Sequence, residues 1–373
     1  MKKIGIISYN IYGSFTNYGS ALQSWALHKT INRLGREKYQ SVLVDYCPEI
    51  HMDKDILNPV KSMWDQDEES IKACELTLPA IRENYFKFAK FYNGRFNKTK
   101  TCYTYKNFNE INANDGIDSF VCGSDTIFCT LEFHGFDHGY FANYSNMRGK
   151  SISYAASFGD AVFDNDTYPI LNERLNNFKA LGIREEKYIP YIKQHCDIPC
   201  SKTIDPTLLL TSEDYDTIAE ERVIEEKYIL LYARRYNQKM FDFADCIAKE
   251  KGYKIVDISL RAETLRNIHE PWYKAGVEEF LSLVKYAELV ITNSFHGLIF
   301  AVQYCRPFVV FSREQADSKI GELLDLFGLK KQIFIDENEN YSRDINYNLV
   351  HNRIEKARIE SISFLERSLE QII

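Results

Sequence analysis

Residues 291–301 read ITNSFHGLIFA. Val290 and Ile291 end a short apolar run, Thr292, Asn293 and Ser294 break it, and a helical apolar run begins at Leu298 after Phe295, His296 and Gly297. A strand that turns polar and reopens as a helix places those polar side chains at the carboxyl end of a sheet. In open α/β sheets that is where ligands bind. The new helix also offers free backbone N–H groups and a positive dipole end, both suited to an anion. A histidine at that junction, His296, is a candidate for proton transfer. The plainer alternative is a histidine that caps the helix or bonds a backbone carbonyl.

The same alternation extends outward from this stretch. IGIIS (4–8) reads as a buried strand and leads to a helix carrying Leu22, Trp25, Ala26, Ile31 and Leu34, with Gly35 placed as its terminator. Asn17, Tyr18, Gly19 and Ser20 stand at the helix entrance, after a loop longer than a tight βα turn, which favours a ligand-facing role. SVLVDY (41–46) follows as a strand. DSFVC (118–122) runs into Gly123, Ser124 and Asp125, and SISYAASFG (151–159) ends in small residues. Arg184 follows Leu181-Gly182-Ile183 at a helix entrance, where it can grip an anion bidentately or pair with Glu185 or Glu186. Thr203–Thr207 marks a turn near the expected domain boundary.

The second half repeats the pattern. KYILLYARRYN (227–237) ends in Arg234 and Arg235, and YKIVDIS (253–259) precedes a loop carrying Arg261, His269, Trp272 and Tyr273. After the 291–301 stretch come a strand, FVVF, and Lys319 at a helix start; a last helix over about 350–372 is placed to pack back across both domains. The expectation is α/β: two doubly wound, Rossmann-like domains, 1–205 and 206–373, facing a central cleft, with a helical insertion at about 50–112.

A chain of 373 residues fits two domains. A net charge of -7 argues against a general nucleic-acid binder. The 9 cysteines are unevenly spaced, which reads as reduced thiols; Cys196 and Cys200 after His195 form half a metal site with no second half, so no metal is expected. No signal peptide or transmembrane run is read, which points to the cytoplasm. RENYFKFAKFYNGRFNKTK (82–100) mixes basic and aromatic residues. It suits a membrane surface or acceptor groove, or, as the favoured reading, the packed face of an inserted helix. The 25 tyrosines suit a carbohydrate-facing cleft as well as a core.

NYGSALQSWAL, GSDTIFC, ISYAASFG, LGIREE, IDPTLLL and ITNSFHGLIFAVQYCRPFVVF occur in this order between residues 4 and about 330. The ordered set resembles the polysaccharide pyruvyl transferases. The resemblance implies a GT-B-like fold and transfer of the enolpyruvyl moiety of phosphoenolpyruvate to a sugar of a surface glycan, with no cofactor. It implies His296 as the acid and Asp125 as a base for the attacking hydroxyl, although an Asp after a strand-ending Gly is as often a turn former. Arg184 is the first choice for the donor, then Arg234 and Arg235, then Lys319, with Asn293, Ser294 and Gly297 beside them. Asn17, Tyr18, Gly19, Ser124 and Trp272 are expected on the acceptor side. The acceptor is expected to be a repeat-unit intermediate on a polyprenyl diphosphate, with peripheral contact to the inner membrane at 81–100. Ser294 stands where several relatives have Arg, and Thr126-Ile127-Phe128 where many have Trp after the GSD loop. A nucleotide-sugar glycosyltransferase of the same fold and a non-catalytic glycan-binding relative are the alternatives.

Overall fold

The computed structural model describes residues 1–63, 66–259, 270–312, 317–334 and 344–373; Arg261 and His269 lie outside them. In the first half, β1 (Lys2–Ile7) leads through α1 (Tyr18–Gly35) to β2 (Tyr39–Leu43). An excursion with α2 (Glu68–Arg95) and α3 (Ile111–Asp115) precedes β3 (Ser119–Cys122). Then come β4 (Ser151–Ala156), α4 (Thr167–Leu175), β5 (Phe178–Ile183), α5 (Ile189–His195) and β6 (Cys200–Lys202). A link holding α6 (Ser212–Asp216) reaches β7 (Tyr228–Tyr232), α7 (Gln238–Lys251), β8 (Lys254–Asp257) and β9 (Glu270–Pro271). The second half continues with α8 (Val277–Lys285), β10 (Leu289–Thr292), α9 (Phe295–Gln303), β11 (Phe308–Phe311), α10 (Asp317–Phe327) and β12 (Ile333–Phe334), and α11 (Tyr347–Leu369) follows.

The strands form two six-stranded sheets, β2-β1-β3-β4-β5-β6 and β12-β11-β10-β7-β8-β9. The pairings are parallel. β3, β4, β7 and β10 are buried along their whole length, as strands covered by helices on both faces must be. Counted from β7, the second sheet has the 3-2-1-4-5-6 order of dinucleotide-binding sheets, with its switch point between β7 and β10. The first sheet switches between β1 and β3, as flavodoxin-like sheets do. Ligands bind at such switch points because the chain leaves toward opposite faces there and opens a crevice. Both switch points carry the polar loops singled out in the sequence.

Several elements join the halves. α1 is buried on most of its surface; Tyr18 stacks on Phe280 of α8 at 4.6 Å, and its hydroxyl donates to the Ala275 carbonyl at 2.9 Å. Most aromatics of the basic–aromatic stripe form a packed face, with Phe86 exposed. Phe88, Phe91, Tyr92 and Phe96 are buried in the core shared by both halves. Lys87 and Arg95 pair with Glu279 and Glu278 of α8 at 2.8 and 3.1 Å. These aromatics are therefore not a membrane-contact surface. α11 does cross back. Arg358 Nε donates to the Leu208 carbonyl at 2.8 Å, Ser361 Oγ accepts from the Ile204 N–H at 3.1 Å, and Phe364 fills the space beside Gly182 of β5.

Two boundaries differ from the sequence reading. Gly35 is the last residue of α1, and Arg36 takes the positive φ of 47°. A Cβ at Gly35 would lie 2.7 Å from the Tyr39 ring, so close packing rather than backbone freedom requires glycine there. The helix expected from Leu298 begins at Phe295, because Ser294 is its cap. His296 is thus in the first turn of α9.

Candidate active site

The two switch points face one cleft of about 700 Å³, lined by Tyr9, Asn17, Asp125, Glu132, Arg234 and His296 among others. That volume is within the usual range for a small-molecule site. On the C-terminal side, β10 ends in a locked turn. Thr292 Oγ1 donates to the Tyr232 carbonyl at 2.7 Å and accepts from the Ser294 N–H at 2.9 Å. Asn293 bridges to the β7 loop: its Oδ1 accepts from the Arg234 N–H at 2.6 Å and its Nδ2 donates to the Arg235 carbonyl at 2.7 Å. Ser294 Oγ accepts from the Gly297 N–H at 3.2 Å, which leaves the Phe295 and His296 N–H groups free of intrahelical partners at the positive end of α9.

His296 is clamped between the halves. Its Nε2 stands 3.5 Å from Asp205 Oδ2, an ion-pair separation rather than a hydrogen bond, and that nitrogen is sealed from solvent. On the other side the ring rests on Gly19, where an added Cβ would lie 1.9 Å from Nδ1. Nε2 is thus turned to the carboxylate, and the Nδ1 edge is the one packed against Gly19.

Asp205 joins His296 to Arg184. Arg184 Nη1 donates to Asp205 Oδ2 at 2.9 Å, and Thr207 donates to Oδ1 through its N–H at 3.0 Å and its hydroxyl at 2.7 Å. Burial alone would raise the Asp205 carboxyl, but the His296 imidazole and the Arg184 guanidinium hold it well below the usual carboxylate range. Arg184 also lies 3.8 Å from Glu185 and stacks on the Phe295 ring at 4.7 Å. It is 9% exposed. Its charge is therefore balanced by two buried carboxylates: Glu185, one of the pairings read from sequence, and Asp205, which that reading did not offer.

The cations left for an anionic ligand are Arg234, Arg235 and Lys319, all on the cleft wall and without a carboxylate partner among the described residues. Burial, reinforced by the neighbouring Arg184 charge, pulls the Lys319 amine below its ordinary value.

The N-terminal wall centres on Asp125, held at φ 75° after β3. Its Oδ2 accepts from Ser20 Oγ at 2.6 Å and its Oδ1 from the Thr126 N–H at 2.9 Å. Thr126 Oγ1 donates to Glu132 at 2.8 Å and lies 3.1 Å from the Tyr9 hydroxyl. Burial raises the Glu132 carboxyl above its ordinary value. Asn17 caps α1 through its Oδ1 and also reaches the cleft.

The structure therefore gathers His296, Asp125, Arg184, Arg234, Arg235, Lys319, Ser294 and Asn17 around one cavity. It does not bring six other expected residues to the cleft wall. Tyr18 is committed to the core. Ser124 is fully buried, donating to the Ala155 carbonyl at 2.6 Å and accepting nothing from the cleft. Trp272 packs on the core, Gly297 lies against Thr292 and Tyr232, and Gly19 serves His296. Asn293 holds the Arg234–Arg235 loop rather than a ligand. Sequence reading missed Asp205, Glu132, Tyr9 and Gln23. Gln23 Nε2 donates to Ser8 Oγ at 2.7 Å and its Oε1 accepts from the Ser124 N–H at 2.9 Å, joining the ends of β1 and β3. A signal for Asp205 existed in Asp-Pro-Thr, where a capping Asp precedes Pro.

Two facing parallel sheets with a shared cleft and a C-terminal helix crossing back define a GT-B-like α/β protein. The family model for polysaccharide pyruvyl transferase matches residues 17–315. The chain belongs to that family, and pyruvyl transfer to polysaccharide is its general activity. A Listeria monocytogenes structure described as a putative UDP-N-acetylglucosamine 2-epimerase is similar with a TM-score of 0.50 at 13% identity, covering 98% of this chain and 91% of that one. T4 phage BGT in complex with UDP and Mn2+ gives a TM-score of 0.41 at 11% identity, with 100% and 99% covered. The Listeria likeness is one of fold alone. No curated protein sequence is significantly similar to this chain.

Proposed function

We propose that the protein transfers pyruvate from phosphoenolpyruvate to two hydroxyls of one sugar, forming a ketal and releasing phosphate. The observation that carries this reading is the juxtaposition in one cleft of a clamped histidine, a carboxylate and three cations that have no carboxylate partner among the described residues. The donor is a compact trianion; Arg234, Arg235, Lys319 and the first turn of α9 offset its charge. His296, as imidazolium, gives a proton to C3 of the enol, which becomes a methyl group and leaves an oxocarbenium-like C2. One sugar hydroxyl adds to C2 as Asp125 takes its proton. The C2–O bond to phosphate then breaks with its electron pair, and the second hydroxyl closes the ketal. Of the two hydroxyl protons, one replaces the proton delivered to C3 and the other leaves with phosphate. Asp205 fixes the ring and stabilises its charged form. General acid catalysis of this kind contributes about 10²–10⁴-fold.

The test is saccharide-dependent release of phosphate from phosphoenolpyruvate, measured beside release of nucleotide from nucleotide sugars. Phosphate release that disappears in His296→Ala supports the reading. Turnover of a nucleotide sugar instead would replace it with glycosyl transfer.

A further inference from the structure

The cleft has an aromatic annex on the N-terminal half. A cavity of about 230 Å³ opens beyond the carboxyl ends of β2 and β3, lined by Tyr46, Tyr105, Phe133, Phe136 and Tyr144. His134, an exposed side chain, lines both this cavity and the main cleft, so the two are neighbours.

Most of these rings are fixed before any ligand arrives. Phe133 packs edge-on against Tyr140 at 4.9 Å, Tyr46 meets Tyr140 at 5.6 Å, and Tyr144 stacks on Phe108 at 4.2 Å. The Tyr46 hydroxyl donates to the Asp137 carboxylate at 3.0 Å, and Asp137 in turn accepts from the Gly139 and Tyr140 N–H groups at 3.0 Å. Tyr105 is the exception. It is 48% exposed and stands at the rim. The segment after α2 carries it there by bridging to β2 and its extension, with Lys98 beside Leu43 and Tyr103 beside Tyr46.

The chemistry selects the ligand class. A rigid aromatic floor suits a flat apolar face, while Glu49, Asp137 and the two imidazoles of His134 and His138 suit hydroxyls. A pyranose offers both, with an apolar C–H face and a rim of hydroxyl groups. A phosphate or nucleotide would meet two like charges in Glu49 and Asp137. A lipid tail would bury those polar groups without partners. Preformed rings also lower the ordering cost of binding.

We propose that this cavity is a saccharide subsite, holding the sugar next to the one that is pyruvylated. The proposal rests on reading the main cleft as the transfer site.

The experiment uses the full chain, with methyl glycosides and linear trisaccharides of galactose and mannose as probes. Saturation-transfer NMR reads which sugar rings touch the protein, and phosphate release reads turnover. The expected result is saturation of an inner ring of a trisaccharide, lost in Tyr105→Ala and reduced in Glu49→Gln. Where turnover is seen, the trisaccharide-to-monosaccharide ratio of kcat/KM falls about three- to tenfold in Tyr105→Ala. Tyr105 is exposed, so its loss leaves folding intact, which circular dichroism checks. Absence of inner-ring saturation with every trisaccharide, or equal saturation in Tyr105→Ala, overturns the proposal. Absence of phosphate release with every acceptor would sink the transfer reading instead, and the NMR result would still decide the subsite.

Discussion

Gly19→Ala is the sharpest perturbation of the clamp. An added Cβ would lie 1.9 Å from His296 Nδ1, 2.3 Å from Cγ and 2.6 Å from Cε1, whereas ordinary contact begins near 3.4 Å. The ring must therefore move by about 1.5 Å, or α1 must shift by as much. α1 resists, because Asn17 caps its first turn and Tyr18 is stacked on Phe280. The ring cannot retreat freely either, since Asp205 stands behind Nε2. A misplacement of about 1 Å costs on the order of 10²-fold in rate, so kcat is expected to fall by at least that factor. Stability should not suffer in proportion: alanine is the better helix former, by about 0.8–1.0 kcal/mol in a helix interior. The assay is steady-state phosphate release from phosphoenolpyruvate, paired with thermal unfolding. Adding Gly19→Ala to His296→Ala should cost almost nothing more, because both act through one ring. Wild-type kcat in Gly19→Ala would refute the claim that this ring position matters.

Four further outcomes follow from the charges. Asp205→Asn should lower stability by about 3–5 kcal/mol near neutral pH, as breaking a buried pair does. Because the folded carboxyl is depressed, that contribution is present above its unfolded pKa of about 3.9 and is lost as pH falls through the folded value; urea midpoints of the variant should be flatter across that window. Lys319→Gln should raise the KM for phosphoenolpyruvate about tenfold, a loss of about 1.4 kcal/mol. In the wild type the ammonium form is lost as pH rises through a depressed pKa, so donor affinity should decline before an ordinary lysine near 10.4 would titrate. Lys319→Arg, always charged, should remove that alkaline limb in a KM–pH profile. Arg184→Ala should act mainly on stability by stranding Asp205 and Glu185. Arg234→Ala and Arg235→Ala should raise donor KM in a salt-dependent way, with unfolding free energies within about 0.5 kcal/mol of wild type.

The strand–loop–helix alternation was legible because parallel strands buried on both faces leave uninterrupted apolar runs, so each polar interruption marks a strand end. That logic set His296, Asp125 and the Arg234–Arg235 pair at strand ends, and the structure brings them to one cleft. The same logic offered Arg184 an anion grip or a pair with Glu185 or Glu186; the Glu185 pair is there, but nothing local shows that Asp205, 21 positions on, would fold back against it as well. It read Asp205 as a turn residue, which it also is: one oxygen holds Thr207 while the other faces His296. Tyr18 and Gly19 open the right helix, yet what they do is set by partners 257 and more residues away. The stripe at 82–100 shows the same limit in reverse. Its periodicity announces a packed face, but only the fold reveals that the face seals the two halves through α8.

The central claim is that His296 protonates C3 of phosphoenolpyruvate while a sugar takes both C2–O bonds. It is tested most directly by running the reaction in heavy water and examining the saccharide product by mass spectrometry and NMR. The expected product carries a carboxyethylidene bridge between two sugar oxygens, with a single deuterium in its methyl group and one phosphate released per bridge. An intact vinyl group, a methyl without deuterium, or a saccharide extended by a sugar would contradict it.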